Sequence, residues 1–255
     1  MGKDDPRLNS AGSTDFRIAR MIAAWKKEDP PPRRVKPIPI AVVRRLCEIA
    51  QALPPDSHLL RAIADMIIIA FFYLLRPGEY TDSTSDTVPF TLGDVQLFLG
   101  PRRLNLLSTP EEELLRATSA SLTFTNQKNG VPGEVIRLGR TGHHFCCPTL
   151  AIVRRVLHLR AHGAPLSTPL ARAFTADGPR SVTPTHITTH LRNAVKYLGT
   201  DLGFLPSDVS ARSLRAGGAM ALLVSKVDTD VIQLLGRWRS DAMFRYLHIQ
   251  AEPIT

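Results

Sequence analysis

The feature that most constrains this chain is a run at positions 66–75 in which every side chain is apolar or aromatic. Apolar periodicity extends upstream to about His58, so the run predicts a helix that is apolar on every side. Such a helix has to lie inside the core, with other elements packed around it. The run is about half as long as a membrane-spanning helix. We therefore predict a globular protein without a membrane span, and 44% hydrophobic content in 255 residues is enough for one sizeable core.

The rest of the pattern predicts an α+β fold that is mainly α. Amphipathic periodicity predicts further helices at residues 38–53, 148–162 and 184–197. Alternating apolar residues predict strands at residues 90–99, 121–125 and 134–138, with a turn at 129–133. We infer a small three-stranded antiparallel sheet from these strands.

A proline run at residues 30–32, followed by a basic segment at 33–37, predicts a stiff linker. The linker divides the chain into residues 1–36 and residues 37–255. The net charge of +9 favours a polyanionic partner, and nucleic acid is the usual one. Three cysteines, two of them adjacent, do not form an obvious disulfide framework, which fits a reducing compartment.

Basic side chains recur within an apolar helical pattern in the C-terminal part of the chain. Asp208 or Ser210 is predicted to cap a helix that carries Arg212 and Arg215. Because these arginines are three residues apart, they are expected to share one face of the helix. Both guanidinium groups could then meet one ligand.

Two glycines in the predicted helix indicate a close contact. Gly217 and Gly218 follow Arg215 directly, although glycine costs a helix interior about 1 kcal/mol relative to alanine. We predict that another part of the chain approaches the backbone there. Asp228 is predicted to cap a short helix that Gly236 would end in a left-handed conformation. Taken separately, these motifs also fit an ordinary helical hairpin with solvated arginines.

The order of these motifs resembles the C-terminal signature of tyrosine recombinases, the integrase family that cuts and rejoins DNA. The motifs are Arg212-Ser213-Leu214-Arg215, then Leu235-Gly236-Arg237, then Tyr246. The segments Ser-Leu-Arg-Ala-Gly-Gly-Ala and Leu-Leu-Gly-Arg-Trp-Arg-Ser-Asp are similar to recombinases of the DIRS and Crypton mobile elements. The resemblance implies a tyrosine-recombinase catalytic domain at residues 37–255. It also implies that residues 1–36 are a stub of a DNA-clamping core-binding domain plus a linker.

The resemblance implies a role for each residue of an active site. In Leu75-Arg76-x-x-Glu79 it puts Arg76 on the scissile phosphate with Glu79 as its support, whereas an arginine at a helix end can also simply offset the helix dipole. Arg215 would bind the same phosphate. Tyr246 would attack phosphorus, and Lys128 would protonate the leaving 5′ oxygen. A lysine beside a turn is, as an alternative, an ordinary solvated side chain.

Two positions depart from the family pattern. Arg212 stands where the family usually has histidine, and Arg237 stands where it has histidine or tryptophan. Arg237 can still donate to a phosphate, but Arg212 cannot act as a general base, because an arginine side chain does not give up its proton in proteins. His248 or water would have to replace that base. A catalytically weak or inactive DNA-binding relative is therefore the alternative, and a helix-turn-helix regulator built on residues 228–250 is a third hypothesis.

The stretch His143-His144-Phe145-Cys146-Cys147 suggests a metal site. Neighbouring residues of a strand point to opposite faces, so these side chains cannot all reach one tetrahedral ion. We predict a buried junction between strand and helix instead, with no metal and no cofactor. The expected partner is double-stranded DNA, bound by a homodimer or homotetramer. The expected location is nuclear for a eukaryotic element and otherwise cytoplasmic or in the nucleoid.

Overall fold

The computed structural model describes residues 14–16, 18–21, 35–82, 88–125 and 133–238. Contacts divide the chain into two compact units, Met1–Arg34 and Val35–Thr255. All the helices and strands named below belong to the second unit. The assignment of residues 1–36 to a clamp stub and linker stays a prediction.

The described part of the second unit is mainly helical and contains two small antiparallel sheets, so the α+β prediction is confirmed. Its helices are α1 (Ile40–Gln51), α2 (His58–Phe72), α3 (Pro77–Tyr80), α4 (Glu111–Leu115), α5 (Pro148–Ala161), α6 (Pro184–Leu202), α7 (Ser213–Val224) and α8 (Thr229–Gly236). Its strands are β1 (Val95–Leu99), β2 (Arg102–Leu104), β3 (Ser119–Phe124), β4 (Glu134–Gly139), β5 (Arg172–Thr175) and β6 (Gly178–Ser181). Short 3-10 turns lie at Leu92–Asp94 and Pro206–Asp208.

Helix α2 lies at the centre of the core, as its sequence predicts, but it ends at Phe72 and not at the predicted Leu75. Residues 62–71 are all buried, and helices α1, α5 and α7 pack around them. Asp65 is the polar exception, and its carboxylate pairs with the Arg154 guanidinium of α5 at 2.6 Å. Burial raises the pKa of Asp65, and the charge of Arg154 opposes that rise. Among the described helices, none has the length and apolarity needed to cross a bilayer.

The prediction of a three-stranded sheet is wrong, because the larger sheet has four antiparallel strands in the order β2-β1-β3-β4. Strand β2 joins β1 through a turn in which Gly100 has φ 61°. It has only three residues, of which Arg102 and Arg103 are charged, so it shows no apolar alternation. Strands β5 and β6 form a separate hairpin. The predicted first part of the strand at 90–99 is instead an isolated bridge between Thr91 and Pro169, followed by a 3-10 turn.

The close approach predicted at the two glycines of α7 is confirmed. A Cβ atom added at Gly217 would lie 2.2 Å from the carbonyl oxygen of Ile38, just before α1. A Cβ atom added at Gly218 would lie 2.1 Å from the carbonyl oxygen of Phe71 in α2. In both cases the nearest atom belongs to the backbone, which cannot move away as a flexible side chain can. The glycines therefore let α7 pack directly against the start of α1 and the end of α2.

Candidate active site

The chain turns sharply after α2 and brings Arg76 to the surface beside a buried carboxylate. Leu74 takes a left-handed conformation with φ 52°, which costs a residue with a Cβ about 1–2 kcal/mol. Pro77 then disfavours helix at Arg76, which is extended and directly precedes α3. The Arg76 backbone N–H donates to the Glu79 carboxylate at 2.7 Å, and its guanidinium donates to the same carboxylate at 3.2 Å. Glu79 is 4% exposed and the Arg76 side chain 34% exposed, so the pair reaches from the core to solvent.

Arg215 of α7 points into the core and contacts the end of α2. Its guanidinium donates to the Leu74 carbonyl oxygen at 2.6 Å and also to the Gly236 carbonyl oxygen. The face of the guanidinium lies 4.2 Å from the centroid of the Trp238 ring, within the range of a cation–π contact. Arg215 therefore links the ends of α2 and α8.

Helix α8 begins as the sequence predicts and ends differently. The Asp228 side chain accepts a hydrogen bond from the Asp230 backbone N–H, as expected of a cap. The prediction that Gly236 is left-handed is wrong, because Arg237 takes that conformation with φ 56°. Gly236 has a different role: a Cβ atom there would lie 1.6 Å from the Trp238 ring. Glycine is required at 236 because the Trp238 ring occupies the space that a Cβ atom would need.

The Arg237 side chain is enclosed by protein. Its guanidinium donates to the Glu79 carboxylate at 3.1 Å and to the carbonyl oxygens of Tyr73 and Leu74. The Phe124 ring of β3 lies 3.9 Å from the guanidinium. Burial lowers the pKa of Arg237, and the charge of Glu79 opposes that change.

Three of the six predicted catalytic residues thus meet in one network of shared partners. The Leu74 carbonyl oxygen accepts from Arg215 and Arg237, and the Glu79 carboxylate accepts from Arg76 and Arg237. Guanidinium groups stay charged near neutral pH and can bind two oxygens of a phosphate at once. Such a cluster can therefore hold a phosphodiester and stabilise added negative charge on it.

Three predicted residues, Lys128, Tyr246 and the substitute base His248, lie outside the described residues. Their roles stay predictions. The Leu74 carbonyl and the Phe124 ring contribute to the network but were not predicted from sequence. Nothing local in the sequence signals either contact, because each depends on an element that packs from elsewhere in the chain.

Arg212 lies at the start of α7 in an environment unlike that of Arg215. Helix α7 begins at Ser213, later than predicted. The Ser210 hydroxyl oxygen accepts from the Arg212 backbone N–H at 3.3 Å, so it caps the turn that leads into the helix, whereas the Asp208 carboxylate accepts from the Leu205 backbone N–H at 3.0 Å instead. The Ser213 backbone N–H donates to the Ser210 carbonyl oxygen at 2.8 Å, which tightens the turn before the helix. Arg212 is exposed, while Arg215 is buried. The structure therefore separates the two arginines by burial, although they are close in sequence.

The histidine and cysteine stretch forms the predicted junction between β4 and α5. The His143 ring nitrogen Nδ1 accepts hydrogen bonds from the backbone N–H groups of Phe145 and Cys146. Cys146 and Cys147 are buried. Within the described ranges, no group of three or more histidine, cysteine or acidic side chains is arranged to hold a metal ion.

A small cavity of about 150 Å³ lies next to the network. Its lining includes Glu79 and Phe124 from the network, together with Asp94 and Thr125. Asp94 is tied to Thr91, whose backbone N–H and hydroxyl both donate to its carboxylate at 2.8 Å. The cavity therefore brings one further acidic group, Asp94, next to the network.

No protein-family model and no curated protein matches the sequence. The fold is similar to that of the Tn1549 transposon integrase in complex with transposon right-end DNA, with TM-score 0.47 and 14% identity over 86% of this chain and 62% of that chain. It is also similar to the same integrase in complex with circular-intermediate DNA, with TM-score 0.44 and 14% identity over 89% of this chain and 70% of that chain. The chain spans less than two thirds of the first of these two structures.

Proposed function

We propose that this chain cuts and rejoins double-stranded DNA through a 3′-phosphotyrosine intermediate, as a tyrosine recombinase of the integrase type. The observation that carries the proposal is the meeting of Arg76, Arg215 and Arg237 around Glu79 and the Leu74 carbonyl. The sequence assigns these three arginines to one site although they come from distant parts of the chain. In a helical protein without such a site, these three arginines would not be expected to share partners.

In the proposed reaction the Tyr246 phenol gives its proton to His248 or to water, its oxygen attacks phosphorus, and the bond from phosphorus to the 5′ oxygen breaks. Lys128 gives its proton to that leaving oxygen. A tyrosine phenol ordinarily has a pKa of about 10, and arginines that lie close to it in the complex with DNA would favour its ionised form. Arg76, with a side chain 34% exposed, is accessible to a phosphate that arrives from solvent. Because the phosphotyrosine bond conserves the energy of the broken bond, the reverse attack by a 5′ hydroxyl rejoins DNA without ATP.

The test is a covalent adduct on DNA. Duplexes enriched from a random pool by binding to the chain would be nicked beside each candidate position, so that cleavage releases a short fragment and cannot reverse. We expect the wild-type chain to form a DNA adduct that survives denaturation, and Tyr246→Phe to form none. Tyr197→Phe is the matched control, because Tyr197 is 79% exposed on α6 and should not be needed.

An adduct that persists in Tyr246→Phe would contradict the assigned nucleophile. Tight duplex binding without any wild-type adduct would favour the second candidate, a DNA-binding relative that does not cut. That candidate is favoured by the contacts of Arg215 and Arg237, whose guanidinium groups donate to protein carbonyls. It predicts affinity that falls steeply with salt concentration while the DNA stays intact.

The surface of α8 gives little support to the helix-turn-helix hypothesis. Leu234 is 72% exposed and Val231 is 44% exposed on this helix, and apolar side chains of this kind do not bind phosphates. The hypothesis predicts that Arg76→Ala leaves DNA binding unchanged. We propose instead that Arg76→Ala abolishes adduct formation, with a homodimer or homotetramer on DNA as the active assembly.

A further inference from the structure

The Arg237 guanidinium is occupied by the protein itself. Its side chain is 2% exposed, and its two terminal nitrogens donate to three backbone carbonyl oxygens and to the Glu79 carboxylate. The Phe124 ring covers one face of the group at 3.9 Å. An arginine that contacts DNA needs nitrogens directed towards solvent. The enclosure of Arg237 points to a role inside the protein.

The backbone at Arg237 is also specialised. Its left-handed conformation, with φ 56° and ψ 42°, is disfavoured for any residue that has a Cβ atom. Glycine is the usual residue at such a helix end, because it lacks a Cβ atom. Arginine at 237 instead combines this unfavourable backbone conformation with specific side-chain contacts.

A continuous set of contacts leads from Arg237 to the surface. The Glu79 carboxylate accepts from the Arg237 guanidinium at 3.1 Å and from the Arg76 backbone N–H at 2.7 Å. The other oxygen of Glu79 accepts from the Arg76 guanidinium at 3.2 Å. We propose that Arg237 is a positioning residue, which fixes Glu79 and through it Arg76 but does not itself contact the phosphate. This inference rests on the proposed function.

The charge of the substrate distinguishes the two roles. A methylphosphonate at the scissile position has no negative charge, so it no longer needs an arginine to neutralise that charge. A variant that lacks a phosphate-binding arginine should therefore recover adduct formation on methylphosphonate DNA. A variant that lacks a positioning residue should not recover, because its remaining groups are still misplaced on either substrate.

The experiment measures the rate of adduct formation on phosphodiester and methylphosphonate duplexes. We expect Arg237→Met to slow the reaction on the order of 100-fold on both substrates, since small misplacements can have effects of that size. Arg76→Ala should lose activity on phosphodiester DNA and recover on methylphosphonate DNA. Arg237→Lys, which keeps a donor and a charge for Glu79, should be slowed less than Arg237→Met. Arg116→Met, at an exposed arginine on the loop after α4, is the control for loss of one positive charge.

Unfolding without DNA tests the contact itself. We expect Arg237→Met and Glu79→Gln to be coupled, so that the double variant is more stable than the sum of the single effects predicts. If Arg237→Met regained adduct formation on methylphosphonate DNA to the extent seen for Arg76→Ala, the inference would be wrong and the proposed function would stand. Absence of coupling between positions 237 and 79 would also overturn the inference. Absence of any wild-type adduct would refute the proposed function, and the inference would fall with it, whatever the unfolding data show.

Discussion

Replacing Gly236 by alanine should destabilise the protein even though alanine is the better helix former. The new Cβ atom would lie 1.6 Å from a carbon of the Trp238 ring, so the indole has to move. Alanine gains about 1 kcal/mol of helix propensity. Displacing a buried ring costs about 1–3 kcal/mol, and loss of its desolvated contact with the Arg215 guanidinium costs about 2 kcal/mol. The net loss in the free energy of unfolding should be about 2–4 kcal/mol.

Urea and thermal unfolding followed by circular dichroism would measure this effect. A loss of this size corresponds to a decrease in Tm of about 5–15 °C for a chain of this length. Gly142→Ala is the matched control, because a Cβ atom added at Gly142 meets no heavy atom within 4 Å. Its free energy of unfolding should stay within about 0.5 kcal/mol of the wild-type value.

The same substitution in a variant without the Trp238 ring tests whether that ring causes the loss of stability. In Trp238→Leu the ring is absent, so the added alanine should cost less there than in the wild-type chain. The coupling energy between positions 236 and 238 should then be about 1–3 kcal/mol, as is typical of residues in contact. A Gly236→Ala protein that is as stable as wild type while Trp238 is present would refute the packing argument.

Two further predictions concern the core. Gly218→Ala should lower the free energy of unfolding more than Gly236→Ala does. The new Cβ atom would lie 2.1 Å from the Phe71 carbonyl oxygen, and a backbone atom in a helix cannot move away as a side chain can. A urea midpoint equal to that of the wild type would contradict this prediction. Burial, with help from nearby positive charge, lowers the pKa of His158 from 6.5 to about 3. Because the folded-state pKa lies below the unfolded one, the contribution of His158 to stability is complete above pH 6.5 and decreases as the pH falls towards 3. His158→Gln keeps an acceptor for the Phe174 backbone N–H. In urea titrations this variant should lose less stability than the wild type between pH 7 and pH 5. Parallel pH profiles of the two proteins would contradict the lowered pKa of His158.

The sequence was sufficient for the longer helices because their signals are local, but it did not predict the short helices α3 and α4. The run at 66–75 predicts a central helix from composition alone, and α2 is buried throughout residues 62–71. The Asp228 cap needs only a side chain two residues before its backbone donor. Strand β2 was missed because three residues with two arginines carry no periodic signal, and its position depends on pairing with β1.

The sequence predicted which arginines belong to the site, but it did not predict their burial or backbone conformation. The resemblance to tyrosine recombinases was enough to group Arg76, Arg215 and Arg237, although Arg237 stands where that family has histidine or tryptophan. The spacing could not show that Arg237 is enclosed while Arg76 reaches solvent, since burial depends on which elements pack over a side chain. It also could not show that Arg237, and not Gly236, takes the left-handed conformation.

The sequence by itself determined the amphipathic helices, the central apolar helix and the glycines needed for close packing, since each follows from the chemistry of neighbouring residues. Only the tertiary structure decided which arginine is exposed, which carbonyl each one contacts and how many strands the sheet has. Those outcomes depend on atoms distant in sequence, such as the Leu74 carbonyl and the Trp238 ring, meeting when the core closes. Long-range contacts of this kind leave no periodic trace in the chain.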